Sequence, residues 1–220
     1  MGWLLPAASQ GKTRKSATSS TSFQSALYRA LRQRTMRTDL SSLLRQRLQR
    51  WAPLLDTPIG IAARRGEIVI EKLKKEVPTC VPAALVRSWF NGWCTARRFQ
   101  QWRSRCWLAE ECAGEDSLEH YCRCAWSWSG ARSRLRVDDS RRQLGRFLLL
   151  EALPQDELVL LALNLYAVYT ARNCFRARDR RRAGKEATQK IFSAYTQACV
   201  LCPRLARRLR RLSSSGVFQI

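Results

Sequence analysis

One short string, CWLAEECAGEDSLEHYCRC, holds four of the nine cysteines and the single histidine of the chain. Chance does not readily account for such clustering, so the pattern indicates ligands. Three sulfurs and one imidazole suit a tetrahedral zinc ion. The predicted ligands, in the pattern C-x5-C-x7-H-x3-C, are Cys106, Cys112, His120 and Cys124. Because four protein ligands leave no position for water, the predicted zinc is structural and not catalytic.

The second half of this string has the spacing of a helical turn. His120 and Cys124 are four residues apart, so on a helix they point the same way, and Asp116 or Ser117 can cap its start. Cys122 then points to the opposite side. An extended chain would instead place Cys122 beside His120, and this alternative stays open.

The first half fits a zinc knuckle less closely. Five residues separate Cys106 from Cys112, whereas two to four are usual, so a longer loop has to close on the metal. The alternative is a former site in which these two cysteines are simply small buried hydrophobic residues.

The charge of the chain points to a polyanionic partner. Forty Lys and Arg against 17 Asp and Glu give a net charge of +23, which favours nucleic acid first and a membrane surface second. The apolar run at residues 158–171 is too short for the roughly 20 residues of a bilayer span, so a buried helix is predicted there and no integral membrane span.

Arginines alternate with aromatic residues around the cysteine cluster. Cations for phosphates and flat rings for unpaired bases are the combination that single-strand binders use. The alternative is packed rings beside solvated arginines. The predicted nucleic-acid contacts are Trp93, Arg97, Arg98, Trp102, Arg103, Arg105 and Trp107. Arginines on the polar face of an earlier predicted helix, among them Arg47 and Arg50, are either solvated or in contact with phosphate.

The odd number and uneven spacing of the cysteines favour an intracellular chain with reduced thiols. A nuclear location is favoured over a cytoplasmic one, and the arginine blocks at residues 176–182 and 207–211 equally fit import signals. A mitochondrial location stays open, because Asp39 is the one acidic residue before residue 51.

Hydrophobic spacing predicts a mainly α protein, with irregular helical domains and a small zinc-knuckle-like unit. Residues 66–78 fit either a strand or a helix, Asn91-Gly92 breaks a helix, and Pro203 kinks or splits the last one. The predicted regions are a disordered basic arm at 1–22, an N-terminal helical region at 23–80, a helical region with the zinc unit at 81–126, a linker at 127–142, a C-terminal helical region at 143–212 and a tail at 213–220.

Two strings, FNGWCTARRFQ at 90–100 and DSLEHYCRC at 116–124, resemble the zinc-binding region that follows the polymerase in non-LTR retrotransposon reverse transcriptases. The similarity extends over roughly residues 84–176. It implies Cys106, Cys112, His120 and Cys124 as ligands, and RNA or DNA binding that helps to place template or target. The C-x5-C spacing departs from the family pattern.

No palm motif of a polymerase and no Asp, Glu and Lys set of a nuclease is found, so no enzymatic activity is predicted. The sequence therefore predicts a retroelement-derived protein that binds RNA or single-stranded DNA and holds structural zinc. The alternatives are a degenerate retroelement fragment without activity, and a basic organelle-targeted or membrane-surface protein.

Overall fold

The computed structural model describes residues 40–99, 104–128, 142–174 and 180–214. In these ranges the chain is mainly helical and contains no β-strand, which confirms the predicted fold class. The α-helices are α1 (Leu40–Leu48), α2 (Ile59–Glu76), α3 (Cys80–Trp89), α4 (Leu118–Tyr121), α5 (Leu144–Phe147), α6 (Gln155–Cys174), α7 (Arg180–Leu201) and α8 (Pro203–Ser214), and a 3-10 helix spans Gln49–Leu54. Residues 125–128 are also helical. The predicted arm at 1–22 and most of the predicted linker and tail lie outside the described residues.

Helix α6 forms the centre of the fold. Residues 158–168 are all buried, as expected of a helix that is apolar on every side. Helices α3 and α7 pack against it. The one polar residue of this stretch, Asn164, is satisfied, since its side chain donates to the Ser127 carbonyl (3.0 Å) and accepts from the Tyr195 hydroxyl (3.1 Å). None of the helices in the described ranges has the length and apolar character needed to cross a membrane.

Helices α1, α2 and α3 pack against one another beside this centre. The segment at 66–78, which the sequence leaves between strand and helix, is helical because Val69, Ile70 and Leu73 recur at helical spacing on its buried face. Gly66 makes the close approach possible, since a Cβ there would lie 2.8 Å from Leu44 Cδ1.

The C-terminal helices confirm the predicted break at proline. Helix α7 ends at Leu201 and α8 begins at Pro203, where a missing N–H and a fixed φ are tolerated in a first turn. Leu205 and Leu209 are buried, and α8 packs on α7. Arg208 ties α8 to the rest of the core through ion pairs with Glu76 and Asp156, both at 2.6 Å.

Two stretches expected to be helical are not continuous helices. Only Leu144–Phe147 is α-helical at the start of the C-terminal region, and the chain then turns through Leu149 with a φ of 58°. The leucines at 148–150 are nevertheless fully buried, so their run reflects burial and not helical period. Residues 96–99, after the predicted break at Asn91-Gly92, form turns.

Candidate metal centre

A closed loop carries the first two cysteines of the cluster. Arg105 and Glu115 form an isolated antiparallel β-bridge. Beside it, the Cys106 N–H donates to the Gly114 carbonyl at 2.7 Å. The chain between these bonds folds back on itself and brings Cys112 towards Cys106, which is how the fold accommodates the long C-x5-C spacing.

A single helical turn carries the other two predicted ligands, His120 and Cys124. Ser117 is the N-cap of α4, and its Oγ accepts from the His120 N–H at 3.1 Å. The Cys124 N–H donates to the His120 carbonyl at 2.9 Å, so the two side chains lie on one side of the turn. The predicted helical spacing of His120 and Cys124 is thereby confirmed, and Ser117 is the cap.

The four predicted ligands come together. Cys106, Cys112, His120 and Cys124 place one sulfur or ring nitrogen each so that all lie within 4.8 Å of one another. Cys124 Sγ lies 3.9 Å from Cys106 Sγ and 3.8 Å from Cys112 Sγ, and Cys112 Sγ lies 3.3 Å from His120 Nε2. Cys106 and Cys124 are buried, while the other two are half-buried. The set can hold a metal ion.

Cys122 is separate from this group, as the helical interpretation predicts. Its sulfur donates to the Glu119 carbonyl at 2.9 Å. Burial raises its pKa to about 12, so its thiol stays protonated at neutral pH.

Hydrogen bonds to sulfur shape the electrostatics of the cluster. The bond from the Cys106 thiol lowers the pKa of Cys124 to about 3, and raises the pKa of Cys106 itself. The Leu108 N–H also donates to Cys106 Sγ at 3.4 Å. Cys124 therefore favours the thiolate, the form that binds a metal, whereas burial raises the pKa of Cys112.

Gly114 is required by the close packing of the histidine. A Cβ at this position would lie 1.9 Å from Cε1 and 2.1 Å from Nδ1 of His120, closer than any side chain can approach. Only glycine therefore leaves the ring where it can face the sulfurs.

A buried ion pair attaches the cluster to the central helix. The Asp116 side chain is fully buried and accepts from Arg172 of α6, with Nε at 2.7 Å from Oδ1 and a second bond from the Arg172 Nη2 atom to Oδ2. The same carboxylate accepts from the Ala96 N–H (2.8 Å) and the Tyr121 hydroxyl (2.6 Å). Burial tends to lower the pKa of Arg172, but the bonds and charge of Asp116 outweigh it and raise that pKa. The pair is charged and well satisfied, as a buried pair must be.

Indole groups extend these connections. Trp51 Nε1 donates to Glu119 Oε1 at 2.8 Å, which links the 3-10 helix to α4. Trp128 Nε1 donates to the Cys122 carbonyl at 2.7 Å. Trp128 is buried although it falls inside the predicted linker. The candidate metal-binding unit, residues 104–128 and called the metal-binding unit below, is thus joined to the helices on several sides.

The structure distributes the predicted nucleic-acid contacts unevenly. Arg97, Arg98 and Arg105 are exposed, and Trp107 is half-buried. Trp93 corrects the prediction, because its ring is fully buried and stacks on Tyr121 with centroids 5.5 Å apart, so it offers no face to a base. Trp102 and Arg103 lie outside the described residues.

Sequence reasoning did not identify Gly114, Tyr121 or Arg172 as parts of the site. A glycine inside a ligand loop was an available signal for the first. Arg172 is 56 residues from Asp116, and nothing local marks it as the partner of a buried carboxylate.

No protein-family model, no curated protein and no solved structure matches this chain.

Proposed function

We propose that this chain is a retroelement-derived, nucleic-acid-binding protein in which Cys106, Cys112, His120 and Cys124 hold a structural zinc ion. The zinc would fix the loop and the turn that carry the ligands, and so position the arginines beside them. The function is binding and not catalysis, because four protein ligands would fill a tetrahedral zinc site.

The sulfur spacing supports zinc in particular. A tetrahedral site with Zn–S bonds of about 2.3 Å has sulfurs about 3.8 Å apart at its edges. The two short Sγ–Sγ distances here, 3.8 and 3.9 Å, match this edge. Three soft sulfurs with one imidazole also suit zinc better than the hard cations magnesium and calcium.

The observation that carries the binding function is the position of exposed arginines on the segments that this unit holds. Arg105 precedes the ligand Cys106 and forms the β-bridge, and the Arg97 N–H donates to the Asp116 carbonyl at 3.4 Å. In a chain of net charge +23, guanidinium groups beside a rigid centre favour a phosphate backbone.

Helix α8 adds a second basic surface. Arg204, Arg207 and Arg210 are exposed, while Leu205 and Leu209 on its other side are buried in the core. An amphipathic helix that binds a membrane inserts its apolar face into lipid. Because the apolar face of α8 already packs inside the protein, its arginines are better suited to a polyanion in solution than to a bilayer.

Metal analysis of the purified chain tests the zinc centre. We expect about one zinc per chain, and its removal by a chelator should lower the melting temperature. A chain that purifies without zinc, and whose melting temperature does not respond to chelation, would contradict it.

Binding of labelled single-stranded RNA and DNA tests the function. The affinity should fall by a factor of about 10³ or more between roughly 50 and 200 mM salt if six or more phosphates are contacted. Absent binding, or affinity independent of salt, would overturn the proposal.

A further inference from the structure

A small pocket rich in arginine lies next to the metal-binding unit. It has a volume of about 300 Å³, at the lower end for ligand pockets, so it suits a phosphodiester group better than a large cofactor. The 3-10 helix, the segment after α3 and helix α4 line it. Its polar lining consists of Arg50, Asn91, Thr95, Arg97, Arg98 and Glu119.

The charge of this lining is strongly positive. Three guanidinium groups face one carboxylate, that of Glu119, which also accepts the Trp51 indole bond. Arg97 Nη1 lies 3.6 Å from the Glu119 carboxylate, so this arginine is partly neutralised. In the described part of the chain, neither Arg50 nor Arg98 has a carboxylate within 4.0 Å. Their charges are the ones left for an anion.

The two arginines are held in place by contacts that do not neutralise them. Arg50 lies over the Trp51 ring, 3.9 Å from its centroid, and donates to the Trp89 carbonyl at 3.4 Å. Arg98 lies 5.2 Å from the Phe99 ring centroid and donates through Nη1 to the Trp93 carbonyl at 3.4 Å. A guanidinium has five N–H donors, so each group keeps donors for a ligand. Such prior ordering lowers the entropic cost of binding.

The electrostatics of Arg50 agree with an anion site. Desolvation lowers its pKa, the nearby Glu119 charge opposes this, and the like charge of Arg47 lowers the pKa further. Desolvation and the charge of Arg47 thus both disfavour the positive charge of Arg50, and a bound anion would offset the repulsion between the two arginines.

We propose that this pocket binds one phosphate group of a nucleic-acid backbone, with Arg50 and Arg98 as the two principal donors. The inference rests on the proposed function and names the place where the backbone is fixed. Arginine forks match the geometry of phosphate oxygens, and phosphate contacts set the position of a bound strand without reading its sequence.

Fluorescence anisotropy with labelled single-stranded RNA tests the proposal in matched variants of the full chain. Arg50→Gln and Arg98→Gln should each weaken binding by about ten- to a hundredfold. Each should also reduce the slope of log affinity against log salt by about 0.7. Arg64→Gln is the control, because it removes one exposed positive charge from α2, outside the pocket, and should change affinity by about twofold or less. Equal losses in all three variants would overturn the inference.

Folding is checked by the melting temperature of each variant. If Arg50→Gln does not fold, Arg98→Lys keeps the charge and removes the fork, and an affinity between wild type and Arg98→Gln supports the pocket. An Arg98→Lys affinity equal to that of wild type contradicts a fork-shaped contact.

Inorganic phosphate separates the two sources of the ligand. In the wild-type chain it should shift the NMR signal of the Trp51 indole N–H, and this shift should be lost in Arg50→Gln. A response to phosphate combined with unchanged RNA affinity in Arg98→Gln would identify a small-anion site and overturn the backbone assignment. A response to phosphate in a wild-type chain that binds no RNA would refute the proposed function and leave a phosphate site.

Discussion

The metal-binding unit at residues 104–128 and the helical core around α6 are held together by different means. In α6, residues 158–168 are all buried among apolar neighbours, so cohesion is spread over many weak contacts. In the metal-binding unit, two short helical stretches, one β-bridge and a set of Cys and His side chains carry the structure. The core can lose single contacts gradually, whereas the unit depends on a few groups.

The two regions are joined by the Asn164–Ser127 hydrogen bond and by the Asp116–Arg172 pair, which is charged and buried. Charged pairs in such places lose far more when one partner is removed than they contribute as a pair. The attachment of the unit to the core is therefore sensitive to single substitutions, as the unit itself is. Substitutions at a candidate ligand, at the Asp116–Arg172 pair and in the core should therefore differ in their effects on stability and on metal content.

The largest effect is expected from removal of a ligand. Cys124→Ser should abolish the proposed zinc binding and lower the free energy of unfolding by about 4 kcal/mol or more, because binding of a structural zinc is coupled to folding of its unit. Cys122→Ser is the control: a buried cysteine two residues away, whose replacement should cost about 1 kcal/mol and leave the zinc content unchanged. Metal analysis and denaturant unfolding measure both. Equal stability of the two variants would refute a metal at this position.

The next largest effect concerns the attachment. Asp116→Asn should destabilise by about 3–5 kcal/mol, since it leaves the Arg172 charge buried without its partner. Adding Arg172→Met removes that charge and should recover much of the loss. Denaturant unfolding of both single variants and the double variant gives the coupling energy. Additive losses would show that the pair does not connect the two regions.

A cavity in the core should lower the free energy of unfolding and leave the zinc content unchanged. Leu163→Ala removes a fully buried side chain from α6 and should cost about 2–5 kcal/mol, with zinc content unchanged. Ile68→Ala, at a side chain that is 54% exposed on α2, should cost about 0.5 kcal/mol or less. Loss of zinc in the folded Leu163→Ala variant would contradict the separation of the two regions.

Two glycines give the smallest and most selective comparison. Gly114→Ala places a methyl group against the His120 ring and should weaken zinc affinity by about ten- to a hundredfold. Gly60→Ala, in helix α2 where the new Cβ would meet no atom within 4 Å beyond its chain neighbours and its own helix, should stabilise by up to about 1 kcal/mol. A competitive zinc titration and thermal unfolding measure the pair. Unchanged zinc affinity in Gly114→Ala would show that His120 is not a ligand.

The grouping of the four candidate ligands was predictable because it is local. Cys and His are rare, chemically distinct residues, and the four-residue step from His120 to Cys124 defines one side of a turn. The Ser117 cap follows from the same short-range rules. The apolar run in α6 likewise contained enough information to predict a buried helix.

The remaining parts depend on contacts between distant segments. The pairing of Asp116 with Arg172 and the approach of Arg50 to Arg98 join residues that no local pattern connects. Trp93 shows the same difficulty, because an aromatic residue among arginines fits both a binding surface and a core. The three leucines at 148–150 are all buried although they do not belong to a helix, so an apolar run there did not indicate helical structure.

Helix α4 also determines how freely this sequence can vary. Three consecutive side chains point to three separate structures: Glu119 to Trp51, His120 to the sulfurs, and Tyr121 to Asp116. Successive residues on a helix differ by about 100° in direction, so one inserted or deleted residue would misdirect every following side chain. This turn should therefore tolerate no change in length. The loop between Cys106 and Cys112 already exceeds the usual length, so it should accommodate an inserted residue. Among descendants of this sequence, insertions should accumulate in that loop and be absent from α4.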